Sequence, residues 1–154
     1  MSDCRYRVLL VSSSGGVLLD LLALRPWWFR HCASWVAVPA PDTTALLKDE
    51  RVYWQPEQSA RRPLAMLTAV VRALRILRVE HPDVIVSSGS GVAVAVFIAA
   101  RLLGVPTLWL ETLNIVNRPG IASRVCGKLA AVVLVQRPAL LASRRRAVLV
   151  GELY

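Results

Sequence analysis

Acidic residues are scarce in this chain: ten Asp and Glu stand against nineteen Lys and Arg, a formal charge of +9. That balance suits an anionic partner, either a nucleic acid or a membrane surface carrying anionic lipid. Nucleic acid is the weaker fit, because the arginines are scattered, aromatics make up only 6% of the chain, and neither an RNP sequence nor a zinc-finger spacing occurs. Histidine and cysteine are equally sparse. His31 and His81 lie far apart and read as loop residues. Cys4, Cys32 and Cys126 are odd in number, widely separated and without C-x-x-C spacing, the pattern of reduced thiols in a cytosolic protein, so no metal site is expected. A Ser–His–Asp order and a paired-carboxylate site are both missing, which leaves little self-contained catalytic chemistry. The amino terminus carries Asp3, Arg5 and Arg7 where a signal peptide would be apolar, so none is expected. Long hydrophobic runs are lacking too. The longest apolar zone, Val84 to Leu110, is interrupted by Ser87 to Gly91, Arg101, Gly104 and Pro106 and reads as strand, loop, helix, turn and strand, not as a spanning helix.

Apolar residues are nonetheless abundant, at 55% of 154 residues and a mean hydropathy of +0.49. A buried parallel sheet, with some apolar surface reserved for a partner or a bilayer, accounts for the excess. The length suits one domain over residues 1–154.

The chain is organised around R-V-L-L-V-S-S-S-G-G-V-L-L-D-L-L, from Arg7 to Leu22. Val8 to Val11 suits a strand buried on both faces, Ser12 to Gly16 is a small-residue turn, and Val17 to Leu24 has helical spacing. Gly15 and Gly16 allow close backbone approach, and the helix behind them offers unpaired N–H groups and the positive end of its dipole. The turn matches neither G-x-G-x-x-G nor a Walker loop. It reads either as an anion-binding corner or as a plain strand-to-helix turn. The design repeats after H-P-D at His81 to Asp83: strand Val84 to Val86, turn S-S-G-S-G at Ser87 to Gly91, helix Val92 to Leu103. Thr107 to Leu110 follows as a strand with Glu111 at its carboxyl end. Ligands of open parallel sheets gather beyond such ends, so Ser12 to Gly16, Ser87 to Gly91 and Glu111 to Asn114 are expected to converge on one crevice.

Between the two turns, R-P-W-W-F-R at Arg25 to Arg30 crowds three rings between arginines after a break at Pro26. Trp27, Trp28, Phe29 and Arg30 suit the headgroup level of a bilayer; the other reading has the rings capping the core beneath a loop. Ser34 to Val38 and Arg51 to Trp54 read as strands, with a brief helix through Glu50 capped by Thr43 or Thr44. Leu64, Leu67, Val70, Val71, Leu74 and Leu77 define a helix from Leu64 to Val79. Its Arg72, Arg75 and Arg78 form a basic row that is either solvated or lipid-facing. Ile121 to Leu129 is helical, and Ala131 to Val135 and Ala147 to Val150 are further strands. The alternation predicts an α/β domain: a single Rossmann-like, doubly wound, mainly parallel sheet.

Several motifs in this order resemble one family, the acceptor-side subunits of split GT-B glycosyltransferases. That family includes the membrane-anchoring subunit of the N-glycan UDP-N-acetylglucosamine transferase and the PssD-type subunits of exopolysaccharide assembly. The resemblance rests on V-S-S-S-G-G at Val11 to Gly16, R-P-W-W at Arg25 to Trp28, and H-P-D-V-I-V-S-S-G-S-G-V-A-V at His81 to Val94. It continues through A-R-L-L-G-V-P-T at Ala100 to Thr107, L-E at Leu110 and Glu111, V-Q-R-P at Val135 to Pro138, and G-E-L at Gly151 to Leu153. R-P-W-W favours the bacterial exopolysaccharide branch.

The resemblance implies the N-terminal half of a GT-B enzyme such as the peptidoglycan transferase, lying peripherally on the cytoplasmic face of the membrane. That half would bind a lipid-pyrophosphate-linked glycan, while a separate GT-B C-terminal-half subunit holds the UDP-sugar, glucuronic acid or N-acetylglucosamine among the donors. No cofactor or metal is implied. Ser13, Ser14, Gly15, Gly16, Ser88, Gly89, Ser90 and Asn114 become the expected acceptor-binding residues. The family's glycine pair is generally followed by a His, the candidate base, and this chain has Val17 there. Asp20, one helical turn later, and Glu111 are the expected substitutes; the alternatives are a base from the partner subunit or a catalytically silent scaffold.

Overall fold

The computed structural model describes residues 4–59, 61–111, 120–141 and 146–150. In chain order the elements are β1 (Arg7–Ser12), α1 (Gly16–Ala23), α2 (Arg25–Trp28), β2 (Cys32–Ala37), α3 (Pro41–Leu46), β3 (Val52–Trp54) and α4 (Pro63–Glu80). There follow β4 (Val84–Ser87), α5 (Gly91–Leu103), β5 (Thr107–Glu111), α6 (Ile121–Leu129), β6 (Val132–Val135), a 3-10 turn at Pro138–Leu140 and β7 (Ala147–Leu149). The seven strands form one sheet in the order β3-β2-β1-β4-β5-β6-β7, and every neighbouring pair is parallel. From β1 the chain winds outward one way through β2 and β3 and the other way from β4 to β7. The strand order therefore reverses between β1 and β4, the point at which such sheets open a crevice. This is the Rossmann-like, doubly wound sheet that the alternation predicts.

Strand alternation divides the core into two layers. Leu9 and Val11 of β1 face a cluster with Val70, Ala73 and Leu77 of α4, Phe97 of α5 and Cys126 of α6. Val8 and Leu10 face the other side, where Leu18 and Leu21 of α1, Trp28, Trp35 and Leu47 pack together. The unbroken apolar run of β1 thus feeds both layers. Helix ends follow local chemistry. Pro63 opens α4 where a missing N–H costs nothing, and Gly104, at φ 72°, closes α5 in the left-handed region that suits glycine.

The break at Pro26 separates two helices: α1 ends at Ala23, and Pro26 sits in the first turn of α2, where its fixed φ favours helix initiation. Three local expectations are corrected. α3 ends at Leu46 instead of running to Glu50, and Thr43 lies inside it. The Thr43 hydroxyl reaches back, accepting from the Ala40 N–H at 2.8 Å and donating to the Val38 carbonyl at 2.8 Å.

Cys4 and Cys32, expected as free thiols, are joined in a disulfide with their Cα atoms 5.3 Å apart. The cause is register: Arg7 lies opposite Cys32, and the Cys32 N–H donates to the Tyr6 carbonyl at 2.9 Å, so the segment entering β1 runs beside the start of β2. Cys126 remains free and buried, and burial pushes its thiol pKa well up.

The apolar positions of α4 do not form one buried face either. Val70 and Leu77 are buried with Ala69, Ala73 and Ile76, whereas Leu64, Leu67 and Val71 are exposed.

Candidate functional site

The two glycine-and-serine turns stand side by side, because β1 and β4 are neighbours and Val11 lies opposite Ser87. Side chains lock them together. The Ser87 hydroxyl lies 2.8 Å from the Val11 carbonyl and 3.0 Å from that of Gly89, and the Ser88 hydroxyl donates to the Val17 carbonyl at 3.1 Å. A Cβ on Gly89 would come within 2.8 Å of Val17 Cγ2, so the absent side chain makes room for the valine. At the start of α5, Ser90 adopts φ 95° and its hydroxyl accepts from the Val92 N–H at 3.1 Å. A Cβ on Gly91 would lie 1.7 Å from the Gln58 carbonyl oxygen; this glycine admits the loop after β3 against the second turn.

At the first turn Gly15 has φ 76° and precedes α1 without a side-chain cap. Its carbonyl accepts from the N–H groups of Leu18 and Leu19, and its own N–H donates to Asp42 Oδ2 at 2.8 Å. The next two N–H groups, of Gly16 and Val17, have no acceptor within the helix, since the first turn of any helix leaves its donors open.

These turns form one wall of a cleft of about 560 Å³ lined by Gly16, Val17, Asp20, Ser88, Gly89 and Ser90 on one side and Trp109, Gly120, Ala122 and Ser123 on the other. Gly16, Ser88, Gly89 and Ser90 of the expected binding set thus border it directly. Ser13, Ser14 and Gly15 belong to the same first turn but are not part of the lining, and Asn114 lies outside the described residues. Asp20 is buried on the cleft wall one helical turn after Val17. Glu111 is buried at the carboxyl tip of β5 and is not itself a lining residue; the Ser123 hydroxyl, which is, donates to Glu111 Oε1 at 3.3 Å. Trp109, which no sequence motif singles out, also lines the cleft. It precedes Glu111 by two and so shares its face of the sheet, which was the available signal. Its ring meets Phe97 edge-on at 5.8 Å, and its Nε1–H is buried without an acceptor, a condition shared by Trp35 deep in the other layer. Among the described residues that line it, none is Lys or Arg. Among the described residues no group of three or more His, Cys, Asp or Glu is placed to hold a metal ion.

The segment from Trp27 to Arg30 divides. Trp28, expected at the bilayer with its neighbours, is only 2% exposed; its Nε1–H donates to the Leu21 carbonyl at 2.8 Å and its ring stands edge-on to Trp35 at 5.6 Å. It is a core residue, because helical geometry turns one ring of three adjacent ones inward. Phe29 is 68% exposed, and Trp27 and Arg30 are exposed as well. α2 follows the carboxyl end of α1, so these side chains lie at the amino ends of the strands, away from the cleft. The amino-terminal half of α4 is at the other end, since the loop leading into it packs Gln58 against Gly91 beside the second turn. There Leu64 and Leu67 are 81% and 63% exposed, next to exposed Arg61 and Arg62. Among the described residues no helix is long and apolar enough to cross a membrane.

No protein-family model matches the chain. Over 74 residues it is 38% identical to the UDP-N-acetylglucosamine--N-acetylmuramyl-(pentapeptide) pyrophosphoryl-undecaprenol N-acetylglucosamine transferase of Lawsonia intracellularis, covering 48% of this chain and 20% of that protein. The enzyme of the same name from Rubrobacter xylanophilus is 36% identical over 83 residues, covering 54% of this chain and 24% of that one. Among solved structures, Acinetobacter baumannii MurG superposes with a TM-score of 0.74 at 27% identity, covering 86% of this chain and 42% of that chain. UDP-N-acetylglucosamine 2-epimerase from Rickettsia bellii matches in fold alone, with a TM-score of 0.73 at 12% identity, covering 96% of this chain and 45% of that chain. The chain thus spans less than half the length of these solved proteins and at most about a quarter of the curated ones. Its sheet is the Rossmann-like half of a GT-B fold.

Proposed function

We propose that residues 1–154 act as the acceptor- and membrane-binding half of a two-component GT-B glycosyltransferase of PssD type. It would work at the cytoplasmic face of the membrane in exopolysaccharide assembly. The observation that carries this reading is the cleft at the strand-order reversal, walled by two interlocked glycine-and-serine turns, in a chain similar to transferases named for a pyrophosphoryl-undecaprenol substrate. The partner subunit supplies the UDP-sugar site, with N-acetylglucosamine or glucuronic acid as donor, and the lipid-linked glycan lies in the cleft described above.

Glycosyl transfer joins an acceptor hydroxyl to the anomeric carbon of the donor as the nucleoside diphosphate departs, and the hydroxyl proton needs a base. Val17 cannot take it. The role is assigned to Asp20, a buried carboxylate on the cleft wall one turn further along α1. Glu111 acts behind Ser123 as the group that orients this wall. The open N–H groups of Gly16 and Val17 and the dipole of α1 receive phosphoryl oxygens of the acceptor. Lipid contact is assigned to Leu64, Leu67 and Val71 with the arginines around them, because that patch shares the cleft's end of the sheet. Trp27 and Phe29 do not, and a flat bilayer touching them would leave the cleft remote from the lipid.

Val17 also favours a second reading, a catalytically silent scaffold that recruits a soluble transferase to the membrane. Co-expression with a GT-B C-terminal-half protein, followed by transfer from UDP-sugar to a lipid acceptor, tests both. An active half loses transfer in Asp20→Asn and keeps assembly; a scaffold keeps both. Full activity of the isolated chain would end the two-component proposal.

A further inference from the structure

Parallel strands begin at one end of the sheet, so the residues that lead into β5, β6 and β7 gather there, at the opposite end from the cleft. Thr107 opens β5, Ala131 precedes β6 and Arg146 precedes β7. The Ala131 N–H donates to the Thr107 carbonyl at 2.9 Å, and the Val133 N–H to that of Arg146 at 3.1 Å. With Arg101 in the last turn of α5, the turn from Gly104 to Pro106 and Leu129 at the end of α6, these residues line a hollow of about 150 Å³. That is far more space than a single water needs.

Two observations point to an occupant. Thr107 is only 3% exposed, yet among the described residues its hydroxyl has no hydrogen-bond partner. It shares a face of β5 with Trp109, toward α5 and α6, so its side chain enters the hollow. A hydroxyl so placed destabilises the fold unless something bonds to it. The second observation is charge. Arg101 and Arg146 border the hollow with no ion-pair partner among the described residues, and the residues between Leu141 and Arg146 are Ala, Ser, Arg and Arg, none of them acidic. The carboxyl ends of α5 and α6 bring about half a negative charge each, which balances one arginine and leaves the other uncompensated. Arg146 belongs to neither helix and holds φ 61°, a left-handed backbone that few residues other than glycine adopt.

We infer that this hollow binds a phosphate-class oxyanion, with the guanidinium groups of Arg101 and Arg146 clasping its oxygens and the Thr107 hydroxyl donating to it. A guanidinium matches such an ion with paired N–H donors, and both arginines are exposed, so the ion can enter from solvent. The site is independent of the cleft and of the reaction proposed for it. Free phosphate and the phosphate of a lipid headgroup share this chemistry.

The test is calorimetric titration of the full chain with inorganic phosphate at fixed ionic strength, in the parent, Arg101→Gln, Arg146→Asn and Thr107→Val. Asparagine tolerates the left-handed backbone, so Arg146→Asn removes charge without new strain. Arg78→Gln makes the same change in the last turn of α4, outside the hollow's lining, and controls for net charge and helix-end effects. The expected result is binding by the parent, a loss of about tenfold in each arginine variant, as for a lost charge-assisted bond, and a smaller loss in Thr107→Val. Arg78→Gln, an exposed charge, should stay within about twofold of the parent. Circular dichroism melts verify folding, and phosphate should raise the parent's melting temperature. Thr107→Val should melt no lower than the parent in phosphate-free buffer; a lower melt would give the hydroxyl a structural bond and remove it from the site. Phosphatidate vesicles that compete with phosphate identify a headgroup as the ligand, and vesicles that do not compete identify a soluble phosphate. No binding by the parent overturns the site, as do binding that all three variants retain and arginine losses that Arg78→Gln matches.

Discussion

Gly91→Ala tests whether the second turn is held by the loop after β3. The added Cβ would sit 1.7 Å from the Gln58 carbonyl oxygen and 2.8 Å from its carbonyl carbon, both backbone atoms, so no side-chain rotation relieves the clash. Either the loop after β3 withdraws or α5 shifts along its axis. Overpacking of this kind costs typically 1–3 kcal/mol, and a contact this short with backbone belongs near the upper end, about 3 kcal/mol. For a chain of this length, 1 kcal/mol corresponds to roughly 2–4 °C, so the melting temperature should fall by about 6–12 °C. Urea denaturation followed by far-ultraviolet circular dichroism measures the loss. Two other glycines calibrate it. Gly104→Ala meets none of the described residues within 4 Å but must hold φ 72°, at a cost of about 1 kcal/mol; Gly120→Ala meets none of the described residues and needs no positive φ, so its change stays within about half a kcal/mol. Gln58→Ala in the Gly91→Ala background should rescue nothing, since the offending atoms are main chain. A loss below 0.5 kcal/mol for Gly91→Ala, or equal losses at positions 91 and 120, would refute the placement of the loop (thresholds on the order of ordinary surface substitutions).

Asp20→Asn should lower transfer by the reconstituted pair about 10²–10⁴-fold while the subunits still co-purify, measured as radiolabelled sugar on a lipid acceptor. Leu64→Ser with Leu67→Ser should release the chain from anionic vesicles in a flotation assay, whereas Trp27→Ser with Phe29→Ser should leave it bound; the reverse pattern would return lipid contact to the α2 end of the molecule. Burial raises the Cys126 pKa, so the folded state favours the neutral thiol. The resulting stability is complete below the ordinary thiol range and declines as pH rises through it, where the unfolded chain ionises first; Cys126→Ala should flatten that part of the pH profile of urea denaturation. In denaturant without reductant, a thiol assay should count one free group per chain, Cys126, because Cys4 and Cys32 are joined.

Much of the architecture is legible in local pattern. Apolar runs of strand length at Val8 and Val84, each ending in serine and glycine and followed by helical spacing, carry their meaning within a dozen residues, because backbone sterics and burial act over that range. Left-handed Gly104 and Pro63 likewise mark helix ends by their own covalent constraints. The inward turn of Trp28, the split of α4 into a buried face and an exposed apolar end, and the linkage of Cys4 to Cys32 are different in kind. Each depends on which neighbour the fold brings alongside, and two rings or two thiols of identical chemistry meet different fates accordingly.

The cleft divides along the same line. Element order and the chemistry of both turns follow from the amino acids in succession, since each turn is a short-range solution to leaving a strand and entering a helix. Their meeting does not. Ser88 bonds to Val17 across 71 residues, Gly15 to Asp42 across 27, and Gln58 fits against Gly91, all because β4 pairs with β1 and the chains leaving neighbouring parallel strands emerge at one end of the sheet. Strand order is settled by the packing of two whole layers of side chains, a sum over distant residues that no stretch of the chain contains.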